Sequence, residues 1–494
     1  MRRFFAFLVL VFPVFCFAQD FGFGFGFDDE SDAKSSGASI LPFTLNIAGE
    51  ISAGQKFFFN DFKNNGKPEQ FLDQDFLSAK VNFSVPGKSA DSYIGLDLSY
   101  GNFAELQDLN RGHTPGILDE AWVRGYFGPV NVQAGFMKLT WGRMYSYGPL
   151  DVVNPLDYTD LSELMEPKNI KIARPMIHAA WSMGPLTKLE AVFVPWFQGD
   201  KFATSGRWAP GQVTGVAPAL VEAMKDALSD RGIPESYLSA ILNGLYNWQK
   251  SFDVDDYYID YNRSLNYAQA GLRFTTTVAS SDFGFQYYFG RFQRPRINIG
   301  VDEYEKGIIF YPPSSDPNQI SIDIDYSYYH QIGADFARVI GGFNLRAEAG
   351  ANITGDLDGT DGTIENPSLV WALGFDRDLL ADINFNIQGT GKVRLFHSKI
   401  GKEINRDCEA GNLATSTRLT GIISRKFFRE ELELKATGLW GIEERDFLIM
   451  PAFIWSRNDV KLELSAGFFG GSKEGELGQY RDNAFVRMLL SYKF

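Results

Sequence analysis

A two-residue alternation of apolar and polar side chains narrows most sharply what this chain can become. In the stretch 484–494, Ala484, Val486, Met488, Leu490, Tyr492 and Phe494 are apolar at every second position, with Arg487, Ser491 and Lys493 between them. Successive side chains of an extended strand point to opposite faces, so this pattern describes a strand with one greasy side and one wet side. The rhythm starts near Phe43, where Phe43, Leu45, Ile47 and Ile51 oppose Thr44, Asn46, Glu50 and Ser52. Its clearest instance sets Ile320, Ile322, Ile324, Tyr326 and Tyr328 against Ser321, Asp323, Asp325 and Ser327, and predicts a long tenth strand there.

Segments of this kind number eighteen, and the links between them carry separate information. Links after even-numbered segments are tight turns, as at Pro86-Gly87, Gly128-Pro129, Gly184-Pro185 and Ser280 to Asp282. Links after odd-numbered segments are mostly long: 54–74, 102–116, 140–167, 198–264 and 293–318. Short turns on one rim and long loops on the other predict an all-β fold, a transmembrane antiparallel up-and-down barrel with the long loops outside. The short link 443–445 breaks the rule, and sixteen strands is the alternative count. Beyond residue 18 no run of 18 apolar residues occurs, so no helix is expected to span a membrane. A soluble all-β protein is the competing reading.

Residues 1–18 carry Arg2 and Arg3, an apolar run from Phe4 to Phe17 and a small residue at Ala18, which is the form of a cleavable export signal. A lipoprotein signal using Cys16 is disfavoured because Phe15 occupies a position where a small residue is wanted. Without Arg2 and Arg3 the formal net charge moves from −14 to −16, a poor match for nucleic acid. Cys408 is then the lone cysteine, which excludes an intramolecular disulfide framework. Residues 19–40, with Phe21, Phe23, Phe25 and Phe27 alternating with glycine, form a low-complexity leader that could plug the lumen. The barrel itself is expected over 41–494. Within loop 198–264, helix formers from Ala217 to Asp230 and the face Leu238, Ile241, Leu242 and Leu245 predict a short helical pair on the outer rim.

Loop 140–167 is the one expected to fold into the lumen. Arg124, Lys138 and Arg143 supply cations near its base, and Asp151, Asp157 and Asp160 supply anions. Opposed charges across a narrowing give a transverse field and a size limit, so Arg124, Lys138, Arg143, Asp151 and Asp157 are the candidate constriction. The plainer reading is turn chemistry and solvated ion pairs. Elsewhere the inward charges are of mixed sign, from Lys80, Asp97, Asp323, Asp325, Asp335, Arg346 and Glu348 to Lys392, Glu433, Lys435, Lys461, Glu463 and Arg487. Phe127, Trp196, Phe197, Trp440, Trp455, Tyr492 and Phe494 are expected in interfacial girdles.

No catalytic, metal or cofactor site is expected. The four histidines are scattered, and His397 beside Ser398 would point to opposite faces of a strand. The stretch Asp356 to Gly362 has the look of a calcium loop, but its glycines are misplaced and a plain Asp-Gly turn is the simpler reading.

Trp141-Gly142-Arg143 followed by Asn154-Pro155-Leu156-Asp157, with the segments Ala191 to Phe197, Gly271 to Pro295 and Gly333 to Glu348, resembles a group of porin-like bacterial outer-membrane barrels over about residues 117 to 350. The aromatic final strand ending at Phe494 is similar to the signal read by the barrel assembly machinery. Together they imply a channel for diffusion of small solutes in contact with outer-membrane lipid, with a homo-oligomer as one form it could take. The alternatives are a transporter of long-chain fatty acids or other hydrophobic compounds, and a surface adhesin barrel.

Overall fold

The computed structural model describes residues 44–60, 75–99, 117–215, 261–300, 321–379, 383–402 and 407–494, with single positions between 216 and 260. The export signal, the leader and nearly all of the expected helical pair lie outside the described residues.

Among the described residues one antiparallel sheet of eighteen strands forms the wall, beside three two-stranded ladders in the loops. The strands are β1 (Asn46–Phe58), β2 (Asp75–Val85), β3 (Ala90–Asp97), β4 (Leu118–Phe127), β5 (Val130–Met137), β6 (Arg174–Gly184), β7 (Thr187–Val194), β8 (Gln269–Val278) and β9 (Ser281–Arg291), followed by β10 (Tyr328–Ile340), β11 (Phe343–Thr354), β12 (Ser368–Leu379), β13 (Ile383–Arg394), β14 (Thr415–Phe427), β15 (Leu432–Gly441), β16 (Asp446–Arg457), β17 (Val460–Gly471) and β18 (Phe485–Lys493). Each pairs with its sequence neighbours, and β1 pairs with β18 in the register Ile51↔Tyr492 and Ala53↔Leu490. Gly49 N donates to Phe494 O at 2.8 Å and Phe494 N returns to Gly49 O at 2.9 Å. The sheet is therefore a closed cylinder, with no unpaired edge to satisfy in an apolar medium.

Burial along the wall is the inverse of a soluble protein's. Outward residues such as Val123, Leu272, Phe285, Ile332 and Leu490 are all more than half exposed, while inward Arg273, Gln331, Glu348, Arg487 and Ser491 are buried. An apolar exterior around a polar interior is how a barrel crosses a lipid bilayer with strands. The short-turn rim follows from turn chemistry. Gly341 and Gly342 both have positive φ (59° and 84°), the hairpin geometry whose twist matches that of the strands it joins.

Several expectations shift. Residues 321–325 do not open the tenth strand. Ser321–Asp325 instead pairs with Arg296–Gly300 as a separate two-stranded ladder, and the barrel strand starts at Tyr328. Period two describes any two-faced strand, so it cannot tell a wall strand from a hairpin standing above the wall. Asp323 and Asp325 thus leave the lumen wall for that hairpin. The segment between the expected link 140–167 and the turn at Gly184-Pro185 reads as a sixth strand over about 168–183, but its first part, 168–173, is a short helical turn, Pro167–Ile170, and a connector. Phe197 leaves the girdle, being 1% exposed and packed on Tyr326 with ring centroids 4.5 Å apart. The link 442–445 is as short as the sequence indicates and does not change the strand count. The Asp356 carboxylate accepts from Thr360 N and Asp361 N, closing the Asp-Gly turn on itself.

Candidate functional site: a strap across the lumen

The connection from β5 to β6, residues 138–173, enters the barrel and is tied at its root by one side chain. Asn154 Oδ1 accepts from Leu139 N at 2.8 Å, and its Nδ2 donates to Met137 O (3.0 Å) and Ile172 O (2.8 Å). A single buried amide thus clamps both ends and the middle of the loop, using both of its N–H donors and its acceptor oxygen. Arg174 reinforces the root by donating to Val153 O and Trp196 O.

Trp141 anchors the strap to the wall. Its ring is 2% exposed and meets Tyr288 edge-on, in a cluster with Met137, Val153, Met176, Val192 and Val194. A Cβ at Gly271 would sit 2.6 Å from Trp141 Cη2, so the strand opposite must carry glycine there. Gly142 follows with φ +82°, and a Cβ on it would lie 2.4 Å from Glu348 Oε1. The Trp-Gly pair is therefore an anchor followed by a bend that a side chain would obstruct.

Beyond that bend the strap crosses to β9–β13. Arg143 Nε reaches Asp335 at 2.6 Å and its Nη1 reaches Asp282 at 3.3 Å. Glu348 accepts from the backbone N–H groups of Arg143, Met144 and Leu150. Gln286 donates to Leu150 O and Gln331 to Pro149 O, while Gln388 accepts from Tyr145 N and donates to Ser146 O. This side is a polar zipper, in which wall side chains replace the partners that a loop backbone would otherwise find in water.

The return arm lies against the other half of the barrel by different means. Leu161, Leu164, Met165 and Ile170 pack into a cluster with inward Phe58, Leu439, Leu448, Met450, Phe469 and Phe485. Trp208, from the loop after β7, fills the middle of the same patch with its ring against Phe58, Phe469 and Tyr480. Ion pairs flank it: Lys56 with Asp160, Arg487 with Glu163, and Lys435 with Glu166 at 2.6 Å. At the loop rim Glu476 bridges Arg294 (2.6 Å) and Arg418 (2.5 Å). Burial opposes its charge, yet those two guanidinium groups hold its carboxyl down at about 2. Asp200, which accepts from Leu156 N at 2.8 Å, is instead pushed up by burial to about 6.

Of the five residues singled out from the sequence, three are on the strap and one is at its base. Arg143 meets Asp335, Asp151 meets Lys171 Nζ at 2.7 Å, and Asp157 caps its own turn by accepting from Thr159. Burial raises the Asp151 carboxyl despite Lys171. Lys138 stands at the base, with Nζ on Asp119 and its backbone N on Glu120 Oε1. Arg124 is elsewhere: it is in register with Gln133 and stacks over Trp122 at 4.7 Å, at the short-turn end of β4. At about 3.3 Å per residue along β5, that is roughly 16 Å from the level of Lys138. Lys171, Gln286, Gln331 and Gln388 were not singled out. Their inward parity is the signal for the glutamines, whereas Lys171 sits in a stretch whose alternation reads as strand.

No family model matches the chain, and no curated protein does. Among solved structures it is similar to OccK3 (OpdO) of Pseudomonas aeruginosa, at 7% identity over 91% of this chain and 95% of that one, with a TM-score of 0.43. It is similar to OccAB4 of Acinetobacter baumannii at 7% identity over 92% and 99%, with a TM-score of 0.44. A third is Wzi of Escherichia coli, an outer-membrane protein involved in group 1 capsule assembly and a carbohydrate-binding β-barrel, at 10% identity over 90% and 84%, with a TM-score of 0.43. None of these likenesses bears on the residues of the strap.

Proposed function

We propose that the protein is a porin-like channel of an outer membrane, passing small solutes through a polar lumen narrowed by the strap. The observation that carries this reading is the inward face of β8–β13. There Arg273, Gln286, Gln331, Asp335, Glu348 and Gln388 are buried within a cylinder whose exterior is apolar. Lining a lumen with such groups serves a hydrated path and would be costly in a closed apolar core. Arg143, Asp151, Lys138 and Asp157 set the charge and width of the narrowing, and Arg124 acts at the far mouth. Outer-membrane lipid, the assembly machinery acting on the strand ending at Phe494, and small solutes are the partners this reading implies. Transport of a hydrophobic compound is less well supported, because the apolar patch around Phe58 and Phe485 is already filled by Trp208 and the strap.

Purified protein in a planar bilayer is expected to give stable ohmic steps. A silent bilayer containing demonstrably folded protein would overturn the reading.

A further inference from the structure

The chain enters the barrel in a row of the wall that carries two inward aromatic rings. Asn46, the first residue of β1, is in register with Ser84 of β2, Ser84 with Tyr93 of β3, and Tyr93 with Trp122 of β4. The Tyr93 and Trp122 rings stack, with centroids 5.5 Å apart and planes 20° from parallel. Their neighbours Ile94 and Val123 are outward and about half exposed (47% and 58%), so alternation turns the two rings into the lumen. Both are only partly buried there. The strap leans on β9–β13 and on β1 and β15–β18, which leaves this aromatic shelf on the remaining arc of the wall. Carbon surface of this kind facing water is a docking face in want of a cover.

The chain itself carries a segment of matching chemistry just ahead of β1. Phe21, Phe23, Phe25 and Phe27 alternate with Gly22, Gly24 and Gly26, and Asp28, Asp29, Glu30 and Asp32 follow. Extended, such a stretch puts four rings on one side, and its glycines permit close approach to a wall. The cations beside the shelf complement the acidic run. The Arg124 guanidinium lies 4.7 Å over the Trp122 ring and is loosely held, 3.9 Å from Asp91 and 3.3 Å from Gln133. Lys88 is exposed in the turn that joins β2 to β3. Length fits as well. Trp122 is three strand spacings from β1, about 14 Å, whereas a coil of the length of 28–43 spans roughly 22 Å. A tether of that size presents the phenylalanines to the shelf at roughly millimolar effective concentration.

We propose that segment 21–27 docks on the Tyr93–Trp122 shelf from the short-turn side and plugs part of the lumen, with Asp28 to Asp32 held near Arg124 and Lys88. Docking does not require the barrel to conduct, but its effect on current rests on the channel reading.

The test places the photoreactive p-benzoylphenylalanine at position 23 of the exported protein and maps its cross-links by mass spectrometry. They are expected within 91–95 and 120–124 of the same molecule, and severalfold fewer after Trp122→Ala. Cross-links only elsewhere on the chain, or only between molecules, would overturn the proposal. In bilayers, exchange of all four phenylalanines for serine should enlarge the steps by roughly half or more, and Trp122→Ala added to it should enlarge them little further. Steps of native size in the serine variant would also overturn it. Should Trp122→Ala fail to fold, the cross-link map of the otherwise native barrel and the serine variant, whose changes lie outside the barrel strands, still decide the matter. A silent bilayer with the expected cross-links would end the channel reading and leave the docking standing; ohmic steps with cross-links only elsewhere would do the reverse.

Discussion

The strap rests on two walls that hold it by different physics. Across β9–β13 it is bound by hydrogen bonds and charges, with Asp335, Glu348 and Gln388 engaging residues 143–150. Against β1 and β15–β18 it is bound mainly by packing of Leu161, Leu164 and Met165 into the cluster of Phe58, Phe469 and Phe485, whose middle Trp208 of the loop after β7 fills. The first kind of contact loosens with salt and with protonation and depends on direction, whereas the second depends on volume and is indifferent to ionic strength. A loop held both ways can keep a fixed position while leaving polar atoms along one side of the lumen for solutes to meet.

The sharpest way to break the contrast is at Trp208. Truncation to alanine removes a buried aromatic from the middle of the apolar patch, with an expected cost of about 3–5 kcal/mol. Heat-modifiable mobility should show a lower unfolding temperature, and that drop should be the same at low and high salt. An unchanged transition would mean that the apolar side does not hold the strap.

On the polar side, Glu348→Gln keeps the shape but removes the charge that receives three backbone N–H groups, at an expected cost of about 1.5–3 kcal/mol. Conductance should become noisier in this variant, because the segment 143–150 would leave the wall more often; a current trace as quiet as the native one would count against the zipper. Arg143→Gln should act more on selectivity than on stability, since Arg273 still faces Asp335 at 2.6 Å. Reversal potentials should shift toward cations by a modest factor that fades at high salt, and no shift at low salt would remove Arg143 from the constriction.

The smallest effect concerns acid. Glu476 lies at about 2 when folded, below its ordinary 4.5. Its contribution is therefore fully present above pH 4.5 and disappears as the pH falls through 2. Protease cleavage within 472–483 should rise over that interval in the native protein, and the rise should be absent in Glu476→Gln.

Much of the wall was legible because lipid outside and polar groups inside impose a strict period of two, visible at Met488 and Leu490 against Arg487 and Ser491. The same rule misled at 320–328, where a hairpin above the barrel obeys the identical rhythm. The strap was legible only in part. Trp141-Gly142 and Asn154-Pro155 mark its bends, and Arg143 is a conspicuous charge, but no local pattern says that Asp335 on the wall, 192 positions away, will receive it. Arg124 illustrates the limit: its distance from Lys138 is set by strand register, which charge and sequence position do not reveal.

The proposed channel depends on the strap lying across a lumen that is otherwise open to ions. Single-channel conductance of the native protein, set against a variant in which 143–149 is replaced by a short glycine linker, tests this most directly. Larger ohmic steps in the variant, with the barrel still folded, are what the structure predicts. Steps of equal size in the two proteins would show that the strap does not stand in the path.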